Sequence, residues 1–190
     1  MKIIAGLGNP GSRYSGTRHN AGWMGLERLQ RKCDARSERF RGKGSLARGE
    51  DLLLFKPLGY MNRSGPPIAR LLDREGASPA DLLVLVDDVN LPLGTLRLRA
   101  GGSSGGHNGL ASVRQALGTQ EFARLRMGVG PCPPGVNLVD FVLSPFHKSE
   151  WETVRQMAEK AADAALCWAD EGVEPTMNRF NGPLENGAVS

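Results

Sequence analysis

Cysteine is scarce in this chain. Cys33, Cys132 and Cys167 stand far apart in 190 residues, and no Cys-x-x-Cys occurs. A disulfide scaffold and a structural zinc site are therefore not expected. Long apolar runs are missing too. Leu82 to Val86 falls far short of the ~20 residues that cross a bilayer. The apolar start, Met1 to Ala5, is stopped by Gly6 and Asn9-Pro10, too early for the core of a signal peptide. A cytoplasmic protein with no membrane partner is expected. There is no internal repeat, no low-complexity tract and no G-x-S-x-G nucleophile elbow. No cluster of His, Cys and acids has metal-ligand spacing, so neither a metal nor a cofactor is expected.

Glycine is abundant, at 25 residues, which points to tight turns or to backbone that must approach a ligand closely. The length suits one domain, and 40% apolar with 23% charged residues suits a globular one. Net charge is +4, unevenly spread. Residues 1–50 carry eleven Lys/Arg against four Asp/Glu, and residues 151–190 carry three against seven. A basic N-terminal quarter suits either an anionic partner or a solvated face.

Periodicity gives an order of elements. Lys2 to Ala5 reads as a buried strand, and Ala21 to Cys33 as a helix with Trp23, Met24, Leu26 and Leu29 on one side. Asp51 to Lys56 reads as a strand ended by Pro57. Pro66-Pro67 opens a helix that runs to Gly76. Leu82 to Val86 reads as a central strand whose carboxyl end is Asp87. Thr95 to Arg99 alternates, with Leu96 and Leu98 opposite Arg97 and Arg99. Asn108 to Leu117 reads as a helix, and Ala123 to Val129 as a strand with Arg124 and Arg126 on one face. If these two alternating strands are neighbours, their arginines share a face. Ser149-x-x-Glu152 predicts a capping box for a last helix stopped by Gly172. The fold class is α/β: a single-domain sandwich of helices around a mixed, largely parallel twisted sheet. Residues 1–178 form the domain, and residues 179–190 read as a loosely ordered tail.

Gly6-Leu-Gly8-Asn-Pro-Gly11 follows a strand and fits G-x-G-x-x-G, which would suggest an NAD(P)-dependent oxidoreductase. The fit is poor, because Pro10 has no N–H for a pyrophosphate and no helical stripe follows. A turn that presents Asn9 suits the residues better. Asn62, after a strand exit, and Asp87, at a strand end, read either as turn chemistry or as ligand contacts. His19 lies at a helix start. Asn108 follows a glycine-rich loop, Gly101 to Gly106. One His, one Asp and several Asn suit water activated by a general base, with amides binding substrate and stabilising an oxyanion.

Thr17-Arg-His-Asn-Ala-Gly22, Lys56-Pro-Leu-Gly-Tyr-Met-Asn62, Val86-Asp-Asp-Val-Asn-Leu-Pro92 and Gly105-Gly-His-Asn-Gly-Leu110 join the Gly6–Gly11 motif in order. Phe122 to Pro131 and Val139 to Leu143 extend the set. With these motifs the sequence resembles the bacterial peptidyl-tRNA hydrolases over Met1 to Asn178. The resemblance implies hydrolysis of the ester between a peptide and the 3′ end of tRNA, which recycles tRNA from prematurely released peptidyl-tRNA. It makes His19 the base and Asp87 the acid that orients it. It puts Asn9, Asn62 and Asn108 on substrate and water, and Met61 and Tyr14 on an apolar rim. Arg99 and Arg126, with Arg97 beside them, fall where the family holds the tRNA 5′ phosphate. Two departures stand out: Arg99 replaces a lysine, and Asn90 stands where an acid is common. The partner implied is peptidyl-tRNA, met by a monomer through its acceptor end. A non-catalytic RNA-binding relative would keep the fold but has no need of His19, Asp87 and three asparagines. The stretch from Arg36 to Arg48 is a second candidate basic surface.

Overall fold

Lys2 to Gly6, Leu52 to Pro57 and Leu82 to Val86 are apolar almost without alternation, so they can only sit between two covered faces of a sheet. A computed structural model, which describes residues 1–41 and 43–184, has them there. In chain order the elements are β1 (Lys2–Gly6), α1 (Ala21–Lys32), β2 (Arg36–Glu38), β3 (Gly44–Arg48), β4 (Leu52–Pro57), α2 (Gly65–Glu75) and β5 (Leu82–Pro92). They continue with β6 (Leu96–Arg99), α3 (Asn108–Leu117), β7 (Ala123–Gly130), α4 (Leu138–Val142), α5 (Trp151–Glu171) and α6 (Val173–Phe180). One seven-stranded sheet has the order β2-β3-β4-β1-β5-β7-β6. The central four strands are parallel, and the three outer strands join antiparallel. The expected mixed sandwich is present, with parallel pairing confined to its centre.

Each face has its own core. On one, α2 and α3 lay Ile68, Leu71, Leu110 and Val113 over Ile3, Leu53 and Val84. On the other, α1 and α5 lay Leu26, Leu29, Met157 and Ala161 over Ile4, Leu54 and Leu85. Each fully buried Leu or Ile stabilises by about 1.5–3 kcal/mol relative to exposure. α1 sits unusually close to the sheet. A Cβ on Gly6 would lie 2.6 Å from the Gly22 carbonyl oxygen, so both positions need glycine for close approach rather than for flexibility.

Three expectations need correction. β5 does not end at Asp87. It continues to Pro92, pairing with β7 across an irregularity between Asp88 and Pro92, where the Asn90 N–H donates to Asp88 Oδ1 at 2.9 Å. A bulge of this kind bends a strand beside a site without ending it. The helix start near residue 149 is not capped by Ser149 and Glu152. The His147 N–H donates to Glu150 Oε2 at 2.7 Å, and a 3-10 turn at Lys148–Glu150 leads into α5. The expected tail is not loose over residues 179–184, the part of it that is described. α6 packs on α5 and β6, Asn181 Oδ1 accepts from the Leu98 N–H at 2.6 Å, and Gly182 pairs with Leu96. The edge strand β6 thereby gains partners for its open side. The rest of the expected tail, residues 185–190, lies outside the described residues.

Candidate active site

The site lies at the carboxyl end of the parallel strands, where α/β sheets leave room for ligand chemistry. The loop after β1 brings Asn9. The loop after β4 ends in a 3-10 turn, Met61–Arg63. Another 3-10 turn, Arg18–Asn20, leads into α1 and carries His19. Asp87 comes from β5 itself, with its side chain 1% exposed.

His19 Nδ1 is 2.9 Å from both oxygens of Asp87. A second imidazole reaches the same carboxylate: His107 Nε2 lies 2.9 Å from Asp87 Oδ1. The other nitrogen of His107, Nδ1, accepts from the N–H groups of Gly109 and Leu110 and so caps the first turn of α3. These contacts fix the tautomers. His107 carries its proton on Nε2, and His19 carries one on Nδ1, which leaves His19 Nε2 as a free acceptor. Burial pushes the Asp87 carboxyl up. The two imidazoles that face it and donate to it outweigh burial and hold it well below the usual carboxylate range.

The donor atoms of His19, Asp87 and His107 lie within 4.8 Å of one another. That spacing alone would admit a metal ion. However, each imidazole meets Asp87 at hydrogen-bond distance and spends there the nitrogen that lies in the cluster. The donor set fits a proton-linked triad better than a metal centre.

Asn9 is buried, and both its backbone and its side chain are engaged. Its N–H donates to Asn20 Oδ1 at 2.8 Å, its carbonyl accepts from Asn20 Nδ2 at 3.0 Å, and its Oδ1 accepts from the Met61 N–H at 2.8 Å. Asn9 therefore ties three loops together, and its Nδ2 has no hydrogen-bond partner among the described residues. Met61 is buried beside Gly109, where a Cβ would strike its sulfur. Asn62, next to the buried Met61, and Asn108, next to the partly buried His107, are exposed, and neither side chain has a hydrogen-bond partner among the described residues. Tyr14 is half-buried on the turn Ser12–Tyr14 with Arg13 over its ring at 4.7 Å, and no described contact joins it to His19 or Asp87.

The arginines do share a face. β6 and β7 pair so that Arg97 lies opposite Arg126 and Arg99 opposite Arg124. Their environments differ. Arg97 and Arg99 are exposed, with no ionic partner among the described residues. Arg126 donates to Asp88 Oδ2 and to the Ser103 carbonyl, both at 3.1 Å. Arg124 is buried under the glycine-rich loop and donates to the carbonyls of Gly102, Gln120 and Phe122. Burial, with Arg126 nearby, lowers it to about 10, so it is still a cation at neutral pH. Arg124 thus holds the loop rather than facing solvent.

His107 is a site residue that the motifs do not single out. The loop before Asn108 is visible, but nothing in the sequence tells that its histidine turns back to Asp87. Arg18 is not singled out either. It is 4% exposed, pairs with Glu150 at 2.8 Å and lies between the rings of Phe141 and Phe146. It pins the turn bearing His19 to the segment that holds α4. The dinucleotide reading fails on geometry. A Cβ on Gly8 would lie 2.7 Å from the Trp23 ring, so this glycine makes room for an indole. The next helix, α1, begins only at Ala21.

The chain is similar to known proteins over nearly its whole length. The profile of the peptidyl-tRNA hydrolase family matches residues 3–187. A peptidyl-tRNA hydrolase of Symbiobacterium thermophilum is 48% identical over 95% of this chain and 98% of its own length. Another, from Lachnospira eligens, is 44% identical over 96% and 100%. The crystal structure of peptidyl-tRNA hydrolase from Acinetobacter baumannii superposes with a TM-score of 0.87 at 31% identity, covering 95% of this chain and 96% of that one. No described helix is long and apolar enough to cross a membrane. With the family profile matched over residues 3–187 and nearly its whole length shared with these relatives, the chain belongs to the peptidyl-tRNA hydrolase family.

Proposed function

We propose that the site hydrolyses the ester between a peptide and the 3′ oxygen of tRNA, with His19 as general base. Water bound at His19 Nε2 gives up a proton as its oxygen adds to the ester carbonyl. The imidazolium that forms keeps its Nδ1–H on the Asp87 carboxylate, which stabilises the new charge. The tetrahedral intermediate collapses, the ribose 3′ oxygen leaves, and the imidazolium returns the proton to it. The Nδ2 of Asn9 and the amides of Asn62 and Asn108 donate to the peptide backbone and the oxyanion. Met61 and Tyr14 form an apolar rim. Arg97, Arg99 and Arg126 take the tRNA 5′ phosphate, a dianion suited to guanidinium forks. Backbone amides and phosphates are common to all substrates, so neither peptide nor tRNA sequence need matter. The reading takes the enzyme as a cytoplasmic monomer.

The observation that carries the reading is the contact of His19 Nδ1 with both Asp87 oxygens, which frees Nε2. Turnover of N-acetyl-aminoacyl-tRNA in ¹⁸O-water tests it. One label is expected in the released carboxylate and none in the tRNA. Label in the tRNA, or no release, contradicts it.

A further inference from the structure

Beyond Asn62, on the same 3-10 turn, Arg63 borders a cavity. This cavity has a volume of about 460 Å³ and is lined by Lys43, Arg63, Pro66, Pro67 and Arg70. Two features set it apart from ordinary basic surface. Its floor is apolar, made by the prolines that begin α2. Its three cations have no acidic partner among the described residues, although the neighbouring arginines do. Arg48 pairs with Glu38 at 2.6 Å and with Glu75 at 3.1 Å, and Arg74 pairs with Glu38 at 3.0 Å. Glu38 and Glu75 are engaged by these other arginines, and Asp73, one helical turn from Arg70, makes no ion pair with a cation of the cavity among the described residues.

Position in the sheet suggests the occupant. β6 and β7, with the exposed arginines, lie to one side of β5, whereas β4, β3 and α2 lie to the other. If the tRNA rests on the β6/β7 flank, the acyl half of the ester points toward the β4/α2 flank. None of the five lining residues is aromatic, and sequence-tolerant binding of single-stranded nucleotides relies on aromatic stacking. A carboxylate on a short aliphatic stem matches a proline floor beneath a cationic rim.

We propose that this cavity is a peptide subsite that takes an acidic side chain of the peptidyl group, a few residues from the ester. The inference rests on the reading of the site given above and adds a bias among peptides. The lining arginines are exposed, so the bias is modest, about three- to fivefold, and falls as salt rises.

The test uses binding, not turnover. Acetylated tripeptides joined by an amide to the 3′ position of adenosine carry Glu, Gln or Lys at the second and third residues from the linkage. Their affinities for the wild-type chain, for Arg63→Ala/Arg70→Ala and for Arg63→Glu/Arg70→Glu are compared with that of deacylated tRNA. The wild type should bind the Glu probe three- to fivefold more tightly than the Lys probe. The alanine pair should level the two, and the glutamate pair should reverse the order, with deacylated tRNA bound alike by the wild type and the alanine pair. Equal affinities in the wild type overturn the proposal. So does a loss of tRNA affinity in the alanine pair with the peptide order intact, which would make the cavity an RNA surface. The amide probes need no cleavage, so a failure here is distinct from a failure of the ester-hydrolysis reading.

Discussion

His107 does two jobs, and substitution can separate them. Its Nδ1 caps α3, and its Nε2–H donates to the buried carboxylate of Asp87. His107→Ala removes both. Loss of a cap costs about 0.5–2 kcal/mol, and loss of a hydrogen bond to a charged group costs about 1.5–3 kcal/mol. Together they predict a destabilisation of roughly 2–5 kcal/mol. His107→Asn restores a good capping residue but is too short to reach Asp87, so it should cost only the second part. The pH dependence follows from Asp87. Its folded value is depressed, so its interactions stabilise fully above the unfolded carboxylate value of about 3.9 and fade as pH falls through the folded value. The deficit of His107→Asn should therefore be full at pH 7, as read by urea unfolding, and shrink only at the acid pH that protonates Asp87 in the folded variant. With one donor gone, Asp87 attracts the His19 imidazolium more strongly, so the acid limb of kcat/KM should move to higher pH. If His107→Asn is as stable as wild type at pH 7 and its pH profile is unmoved, the contact with Asp87 contributes nothing.

Asn9 and Asn62 should behave differently despite their shared type. Asn9→Ala strands the buried Met61 N–H and should lower stability by about 1–3 kcal/mol as well as activity. Asn62→Ala should leave thermal unfolding within about 0.5 kcal/mol while lowering kcat by roughly 10²-fold or more. Equal stability losses would make both residues turn formers. Arg97→Ala/Arg99→Ala removes two exposed cations, and kcat/KM should lose its preference for tRNA bearing a 5′ phosphate, by roughly tenfold or more. A preserved preference leaves Arg126 alone, or another surface, as the phosphate contact. Glu150→Gln should destabilise by about 3 kcal/mol, because Arg18 is left buried without its counter-charge. Burial pushes Glu150 up but Arg18 draws it below its ordinary value, so this contribution is present above pH ~4.3 and is lost on acidification. Unfolding scans at pH 7 and pH 3 check both statements.

Much of the centre of the fold can be read from the chain because its strands are unambiguous. Leu82 to Val86 can only be a buried strand, and the alternation of Leu96, Arg97, Leu98 and Arg99 gives both strand and face. β2 and β3 escape the same reading because an edge needs only one buried side. Arg36 and Ser37 are exposed, and β3 buries little beyond Leu46 and Ala47. α6 escapes because its anchor, Asn181 on Leu98, spans 83 residues of sequence and leaves no local trace. The same limit applies in the site. His19 and Asp87 stand out through residue type and motif, whereas His107 looks like part of a flexible loop until the fold brings it to Asp87. Charge patterning marks Arg124 and Arg126 alike. Only packing separates the one that holds a loop from the one that borders the face.

The central claim is that the free Nε2 of His19, held by Asp87, takes the proton from water. The most direct measurement is single-turnover release of peptide from N-acetyl-aminoacyl-tRNA by the wild type, His19→Ala and Asp87→Asn at saturating enzyme. The account predicts a fall of about 10²–10⁴-fold for His19→Ala, in a chain that stays folded but loses about 1.5–3 kcal/mol with the Asp87 contact. It predicts a smaller fall for Asp87→Asn, with the acid limb moved to lower pH. Near-normal release by His19→Ala would contradict it and place the base elsewhere.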